Sequence, residues 1–110
     1  MARKRADFGL VYAQGVIYVT GGRDGDIHGK CEKYDVKGDK WSEMPDLNVA
    51  RCDHALTLFN NKFIFCFGGR SLRVPYLNQI EAFEILKNEW KVINYADYSA
   101  WPGARQCWPA

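Results

Sequence analysis

The sequence predicts an all-β fold built from repeated four-stranded antiparallel sheets. Three observations carry that expectation. A glycine pair occurs twice, as Gly21-Gly22 and Gly68-Gly69, a shift of 68 − 21 = 47. Each pair follows a short run rich in β-branched or aromatic residues, Val16 to Thr20 and then Phe63 to Phe67, the residue types that pack well on a pleated surface. No stretch of the chain carries the 3.6-residue apolar period of an amphipathic helix.

The elements follow from periods and breakers. Phe8 to Ala13 reads as a first strand and Gln14-Gly15 as its turn. Val16 to Thr20 reads as a second strand that stops at the glycine pair. Arg23 to Lys30 is a polar loop. Cys31 to Val36 alternates as a third strand and ends at Lys37-Gly38-Asp39, a hairpin turn in which Gly38 would supply the positive φ. Lys40 to Met44 is a fourth strand, stopped by Pro45. The second unit repeats the order: Asp53 to Phe59, a turn at Asn60-Asn61, Phe63 to Phe67, a loop from Arg70 to Asn78, Gln79 to Ile85, a turn near Lys87-Asn88, and Glu89 to Asn94. Four short strands in about 50 residues is the arithmetic of one blade of a β-propeller.

Composition agrees with a globular domain. Apolar residues make up 47% of the 110 and charged residues 25%, ordinary usage that argues against a disordered tail, a collagen-like rod or a coiled coil. Fifteen Lys and Arg against thirteen Asp and Glu leave a net charge of +2. That is too weak a field to suggest a nucleic-acid partner. No apolar run approaches the roughly 20 residues that span a bilayer, so membrane insertion is not expected. Met-Ala-Arg-Lys-Arg at the start is followed by no long apolar segment, so no secretory signal is expected. The four cysteines (Cys31, Cys52, Cys66, Cys107) show no paired spacing, which fits a reduced, cytoplasmic setting.

Further marks recur in order. Tyr34 returns as Phe83 and Trp41 as Trp90, each 49 residues later. An Arg opens each unit, at Arg5 and Arg51, and another follows each glycine pair, at Arg23 and Arg70. A glycine pair, then Tyr or Phe, then Trp, with an Arg before the next unit, resembles the kelch repeat. The resemblance covers nearly the whole chain: one blade over 1–49, a second over 50–101, and the start of a third over 102–110, where Pro102-Gly103-Ala104-Arg105 opens a strand. Two blades are too few to close a ring of roughly four to eight, and repeat units need neighbours to complete their core. The expectation is that other blades come from the same longer chain or from another subunit.

The resemblance also implies roles. Gly21, Gly22, Gly68 and Gly69 would end the second strand of each blade where segments pack closely. Tyr34, Trp41, Phe83 and Trp90 would cover the blade faces and fill the wedge between blades. Arg5 and Arg51 would bond backbone carbonyls between blades. In kelch proteins that bind acidic peptides, the Arg after the glycine pair and the residue two after the opening Arg face the partner. Those positions here are Arg23 and Arg70, then Asp7 and Asp53. The acidic second pair departs from an anion-binding pattern. The loop from Arg70 to Asn78 adds Arg73 and Tyr76, and loops carry specificity on rigid scaffolds.

Three patterns suggest chemistry and lack parts of it. Asp24-x-Asp26-x-His28-Gly29 with Asp35 twelfth resembles a calcium loop, but His28 stands at an oxygen-donor position and no helices flank it. Gly25 to Lys30 is one residue short of a phosphate loop and is followed by Cys31. Cys52 and His54 could share a strand face as a nucleophile pair, with nothing nearby to form an oxyanion site. No cofactor, metal or catalytic residue is therefore assigned. The first functional expectation is a non-catalytic scaffold presenting loops to protein partners in a multi-protein assembly, cytoskeletal or ciliary for example. The alternative is the substrate-recognition module of a cullin-type ubiquitin ligase, which would need a BTB domain outside these residues. A third class, an enzyme on a kelch propeller, would need convergent side chains that these two units do not show.

Overall fold

The computed structural model describes residues 4–75 and 77–93. Tyr76, the end of the expected second blade and the whole expected third repeat (102–110, with Arg105) lie outside them. Eight strands of five residues follow one another: β1 (Gly9–Ala13), β2 (Val16–Thr20), β3 (Cys31–Asp35), β4 (Lys40–Met44), β5 (Ala55–Phe59), β6 (Phe63–Phe67), β7 (Ile80–Glu84) and β8 (Glu89–Ile93). They form two four-stranded meanders, β1-β2-β3-β4 and β5-β6-β7-β8, with every neighbouring pair antiparallel. The all-β expectation is met, and among the described residues there is no helix.

The turns explain the registers. Gln14 and Gly15 both have positive φ (49° and 81°), so β1 and β2 join through a two-residue loop that pairs Ala13 with Val16. That backbone twist matches the twist of the strands it joins. Asn60 and Asn61 do the same work between β5 and β6 (φ 57° and 53°), but there Phe59 pairs with Phe63, one residue further on. This single insertion shows in the repeat. The shift is 55 − 9 = 46 for the first strands, 63 − 16 = 47 for the second and 80 − 31 = 49 for the third. The remaining two extra residues lie in the loop after the second glycine pair.

At the β3–β4 turn the left-handed residue is Asp39 (φ 51°), not Gly38. The equivalent in the second sheet is Asn88 (φ 56°). Asp and Asn tolerate this region because their short polar side chains can bond locally. A Cβ at Gly38 would meet only the movable end of the Asp35 side chain, and the equivalent position in the second sheet is Lys87, so this turn does not require a glycine.

Val16–Thr20, Lys40–Met44 and Phe63–Phe67 fall as expected, whereas ends of β1, β3, β5 and β7 fall a residue or two inside those expected, for local reasons. Asp7 and Asp53 have φ of 56° and 57°, which breaks the extended backbone just before β1 and β5. Val36 and Ile85 leave their strands to donate to the Gly15 and Lys62 carbonyls (both 3.0 Å).

The two sheets pack face to face, with β1 and β5 the strands of closest approach. One core fills the space between them. The first sheet and the segment after it contribute Ala13, Tyr18, Cys31, Met44 and Leu47, and the second contributes Ile64, Cys66, Phe83 and Trp90. Trp90 is nearly covered; its ring lies 5.0 Å from that of Phe83, and its Nε1 donates to the Pro45 carbonyl at 3.0 Å. Trp41 stacks on Tyr34 in the same way, 4.9 Å between centroids, but it is only partly buried, because no described sheet lies against that face. The far face of the second sheet carries its own apolar cluster of Phe65, Ile80, Ala82 and Ile93.

Gly21 shows why a glycine ends β2. Its φ is +60°, and a Cβ would come within 2.5 Å of the Arg51 carbonyl. The next amide, Gly22 N, donates to that same carbonyl at 2.9 Å. The two sheets therefore touch backbone to backbone here, which any side chain would prevent.

Candidate functional site

The strand ends at β1 and β2 of each sheet gather the charged residues that the sequence singles out. An isolated bridge ties Ala6 to Arg23 in the first sheet and Cys52 to Arg70 in the second. These bridges place each post-glycine Arg beside the left-handed Asp. Arg23 Nε donates to Asp7 Oδ2 at 2.6 Å, and Arg70 Nε donates to Asp53 Oδ2 at 3.0 Å. The side chains remain between one-third and one-half exposed in both pairs. Asp53 N also donates to the Asp7 carbonyl at 2.9 Å, so the pairs stand in register, one blade beside the next.

The electrostatics match this placement. The bond to Asp7 raises the Arg23 pKa, and the charge on Arg70 acts against it. The bond to Asp53 likewise raises that of Arg70. Each carboxylate neutralises its own Arg, while the two guanidinium groups remain close enough to feel one another. Exposed pairs of this kind contribute little to stability. They leave ready-made, half-exposed donors for an incoming carboxylate.

Beside the second pair the 70–79 loop opens a groove of about 660 Å³. Its walls are the segment Asn48-Val49-Ala50 on one side and Ser71, Leu72, Arg73, Val74 and Leu77 on the other. Ser71 shapes the loop: Ser71 N donates to the Val74 carbonyl at 2.8 Å, and Ser71 Oγ accepts from Val74 N at 3.1 Å. Leu72 and Val74 are exposed, an apolar rim next to Arg73. Of the expected partner-facing residues, Arg23, Asp53 and Arg70 come together at one end of the blades and Arg73 lines the adjoining groove.

Arg5 and Arg51 bond carbonyls, but within their own blades and not between them. Arg5 NH1 donates to the Gly21 and Lys30 carbonyls at 2.8 and 2.7 Å. Arg51 NH1 donates to the Gln79 carbonyl at 2.9 Å and more weakly to that of Gly68. Each is also paired with a carboxylate on the third strand: Arg5 with Glu32 at 2.7 Å and Arg51 with Glu81 at 3.0 Å. Arg51 and Glu81 are fully buried. Sequence reading missed both glutamates. The signal was available, since an acid stands at equivalent places in two otherwise half-apolar strands, 81 − 32 = 49 residues apart.

Cys52 and His54 do not make a reactive pair. Burial raises the Cys52 thiol pKa, opposite to what a nucleophile needs. His54 Nε2 is 2.8 Å from the hydroxyl of Thr20, across the interface between sheets. Burial, reinforced by the Arg51 charge, lowers its pKa to about 4. A histidine that stays neutral when folded and protonates more readily when unfolded contributes stability that is present above pH 6.5. That stability is lost as the pH falls from there towards 4, at a rate of about 1.4 kcal/mol per unit for one group. His54→Gln is expected to flatten that part of the stability profile, read by urea unfolding at steps between pH 7 and 4. An unchanged slope would remove His54 from the acid sensitivity.

The ends of the calcium-like pattern, Asp24 and Asp35, lie in different elements, a loop and a strand. Asp24 N donates to the Asp26 carbonyl at 3.2 Å, and Asp35 is the last residue of β3, paired with Val16 and Lys40.

With the geometry in hand, the likeness to known proteins is specific. The Kelch motif family matches residues 4–48, the span of the first sheet. Alpha-scruin of Limulus polyphemus is 29% identical over 98 residues, which cover 82% of this chain and 11% of that protein. Kelch repeat and BTB domain-containing protein 2 of Ectromelia virus (strain Moscow) is 32% identical over 100 residues, covering 86% and 18%. Kelch-like protein 4 of Homo sapiens is 38% identical over 60 residues, covering 54% and 8%. The chain thus spans less than a fifth of the length of each of these relatives. With a motif match on the first unit and the same four-strand meander in the second, this is a kelch-repeat chain, two propeller blades packed side by side.

Proposed function

We propose that the chain acts as part of a protein-interaction scaffold, presenting the Arg23–Asp7 and Arg70–Asp53 end of its blades and the adjoining groove to acidic, partly apolar segments of partner proteins. The observation that carries this reading is the repetition. Two half-exposed Arg–Asp pairs stand in register on neighbouring blades, beside a groove rimmed by Leu72, Val74 and Arg73. A partner carboxylate can take the outward donors of an Arg without unfolding anything, and the apolar rim supplies the area that exposed charges alone do not. Such a surface suits a non-catalytic role in a multi-protein assembly. The buried cysteines Cys31, Cys52 and Cys66, none in a disulfide, suit a reducing, cytoplasmic setting.

A second reading, recognition of substrates for a cullin-type ubiquitin ligase, is favoured by relatives whose names include a BTB domain. Both readings use the same surface and differ in what accompanies it.

Arg73→Glu and Arg70→Glu, both at exposed side chains, are each expected to reduce partner capture by the full-length protein at least tenfold. The melting temperature should stay unchanged. Quantitative mass spectrometry of captured proteins checks this, and the presence or absence of a cullin among them separates the two readings. An unchanged partner set in both variants would remove this end of the blades from recognition.

A further inference from the structure

The turn that opens the loop after the second glycine pair presents a hydroxyl in a distinctive setting. The described residues hold four aliphatic hydroxyls: Thr20, Ser42, Thr57 and Ser71. Thr20 is fully buried and bonded to His54. Ser42 and Thr57 lie inside β4 and β5, and Ser42 is followed by Glu43. Ser71 lies outside every strand, between the end of β6 at Phe67 and the start of β7 at Ile80. It lines the groove beside the Arg70–Asp53 pair, with Arg70 directly before it and Arg73 two residues after it. Both arginines are exposed.

The surroundings of the Ser71 hydroxyl suit an anion. Val74 N and Arg73 N donate to Ser71 Oγ at 3.1 and 3.4 Å, so two successive backbone N–H groups converge on it. The turn is also held in place: Arg70 and Cys52 exchange both backbone hydrogen bonds at 3.0 Å, and Ser71 N donates to the Val74 carbonyl at 2.8 Å. A phosphoryl group on Oγ would carry up to about −2 charge and three strong acceptor oxygens. It would stand between Arg70 and Arg73 in the chain, and guanidinium groups match phosphate oxygens with paired donors. Two arginines against Asp53 leave this end of the blade positive; a phosphate of about −2 reverses that sign.

We propose that Ser71 is a phosphorylation site for a protein kinase that selects basic substrates, and that its phosphate, held by Arg70 and Arg73, switches off the capture of acidic segments at this end of the blades. In the transfer, Ser71 Oγ attacks the terminal phosphorus of the kinase's nucleoside triphosphate. The new Oγ–P bond replaces the bond to the bridging oxygen. The nucleoside diphosphate leaves with that electron pair, and the hydroxyl proton passes to the kinase's base. The flanking arginines complement an acidic substrate cleft. The site stands on Ser71 and its neighbours alone, whereas the switch rests on the binding role proposed above.

The test treats the folded full-length protein with magnesium, ATP and the catalytic domain of a kinase selective for serine with arginine two residues later. Mass spectrometry should place the phosphate on Ser71, and Ser71→Ala should remove it. Arg73→Ala should slow its addition by about fivefold or more, with an unchanged melting temperature. The phosphorus NMR resonance of the product should titrate at lower pH in the folded protein than in urea, because the two guanidinium groups favour the dianion. Arg73→Ala should remove most of that difference. Partner capture should fall by about tenfold or more on phosphorylation, as expected for Arg73→Glu. Phosphate on other residues only, or one that titrates alike folded and unfolded, would overturn the site. Loss of capture in Arg73→Glu with full capture by the phosphorylated protein would overturn the switch. Capture that survives both changes would overturn the binding role and the switch with it, while the titration still decides the site.

Discussion

Glu81→Ala is expected to lower stability by about 3–5 kcal/mol, the range for removing one partner of a buried ion pair. The physical reason is the charge left behind. Arg51 has no exposed surface, and without Glu81 its guanidinium keeps only carbonyl partners at Gln79 and Gly68. The same change releases Asn48 N and Val49 N, so the segment joining the blades loses its anchor. Urea unfolding of the chain checks this through the midpoint shift. A loss under 1 kcal/mol would mean that water reaches Arg51, and the account of a closed clamp would fail.

Trp90→Ala is expected to cost about 3–5 kcal/mol, the range for deleting a buried aromatic side chain. Trp41→Ala should cost clearly less than half of that. The two residues hold the same place in the repeat and stack on equivalent rings at nearly equal distances. They differ in surroundings. Trp90 fills the wedge between the blades and donates to Pro45, whereas Trp41 lies on a face that no described sheet covers. Thermal unfolding of both variants checks the asymmetry. Equal losses would show that the wedge contributes nothing beyond the stacking within one blade. In a longer protein in which another blade covers Trp41, its cost should rise towards that of Trp90.

The fold was legible in the sequence because its signals are local. The glycine pairs, the Asn and Gly turns and the β-rich runs each act over a few residues, and all fell in the same order twice. Even the drift of the repeat from 46 to 49 residues maps onto a longer turn at Asn60-Asn61 and a longer loop after Gly69. Strand ends were less legible, since Asp7 and Asp53 look like ordinary strand-opening residues until their left-handed backbone is seen. The meaning of those two acids was also hidden. In the sequence they contradict an anion-binding surface, while in space each neutralises the Arg next to it. Glu32 and Glu81 went unread because an acid in a strand ordinarily faces water. Only the fold shows that these two point at the buried Arg that opens their own blade.

The central claim is that these two repeats dock as propeller blades through the Pro45–Arg51 segment. Amide hydrogen exchange tests it most directly. Asn48 N–H and Val49 N–H should exchange as slowly as the amides of β6 and β7, and Glu81→Gln should speed these two selectively. Exchange of both at the rate of an open loop in the unaltered chain would contradict the docking described here.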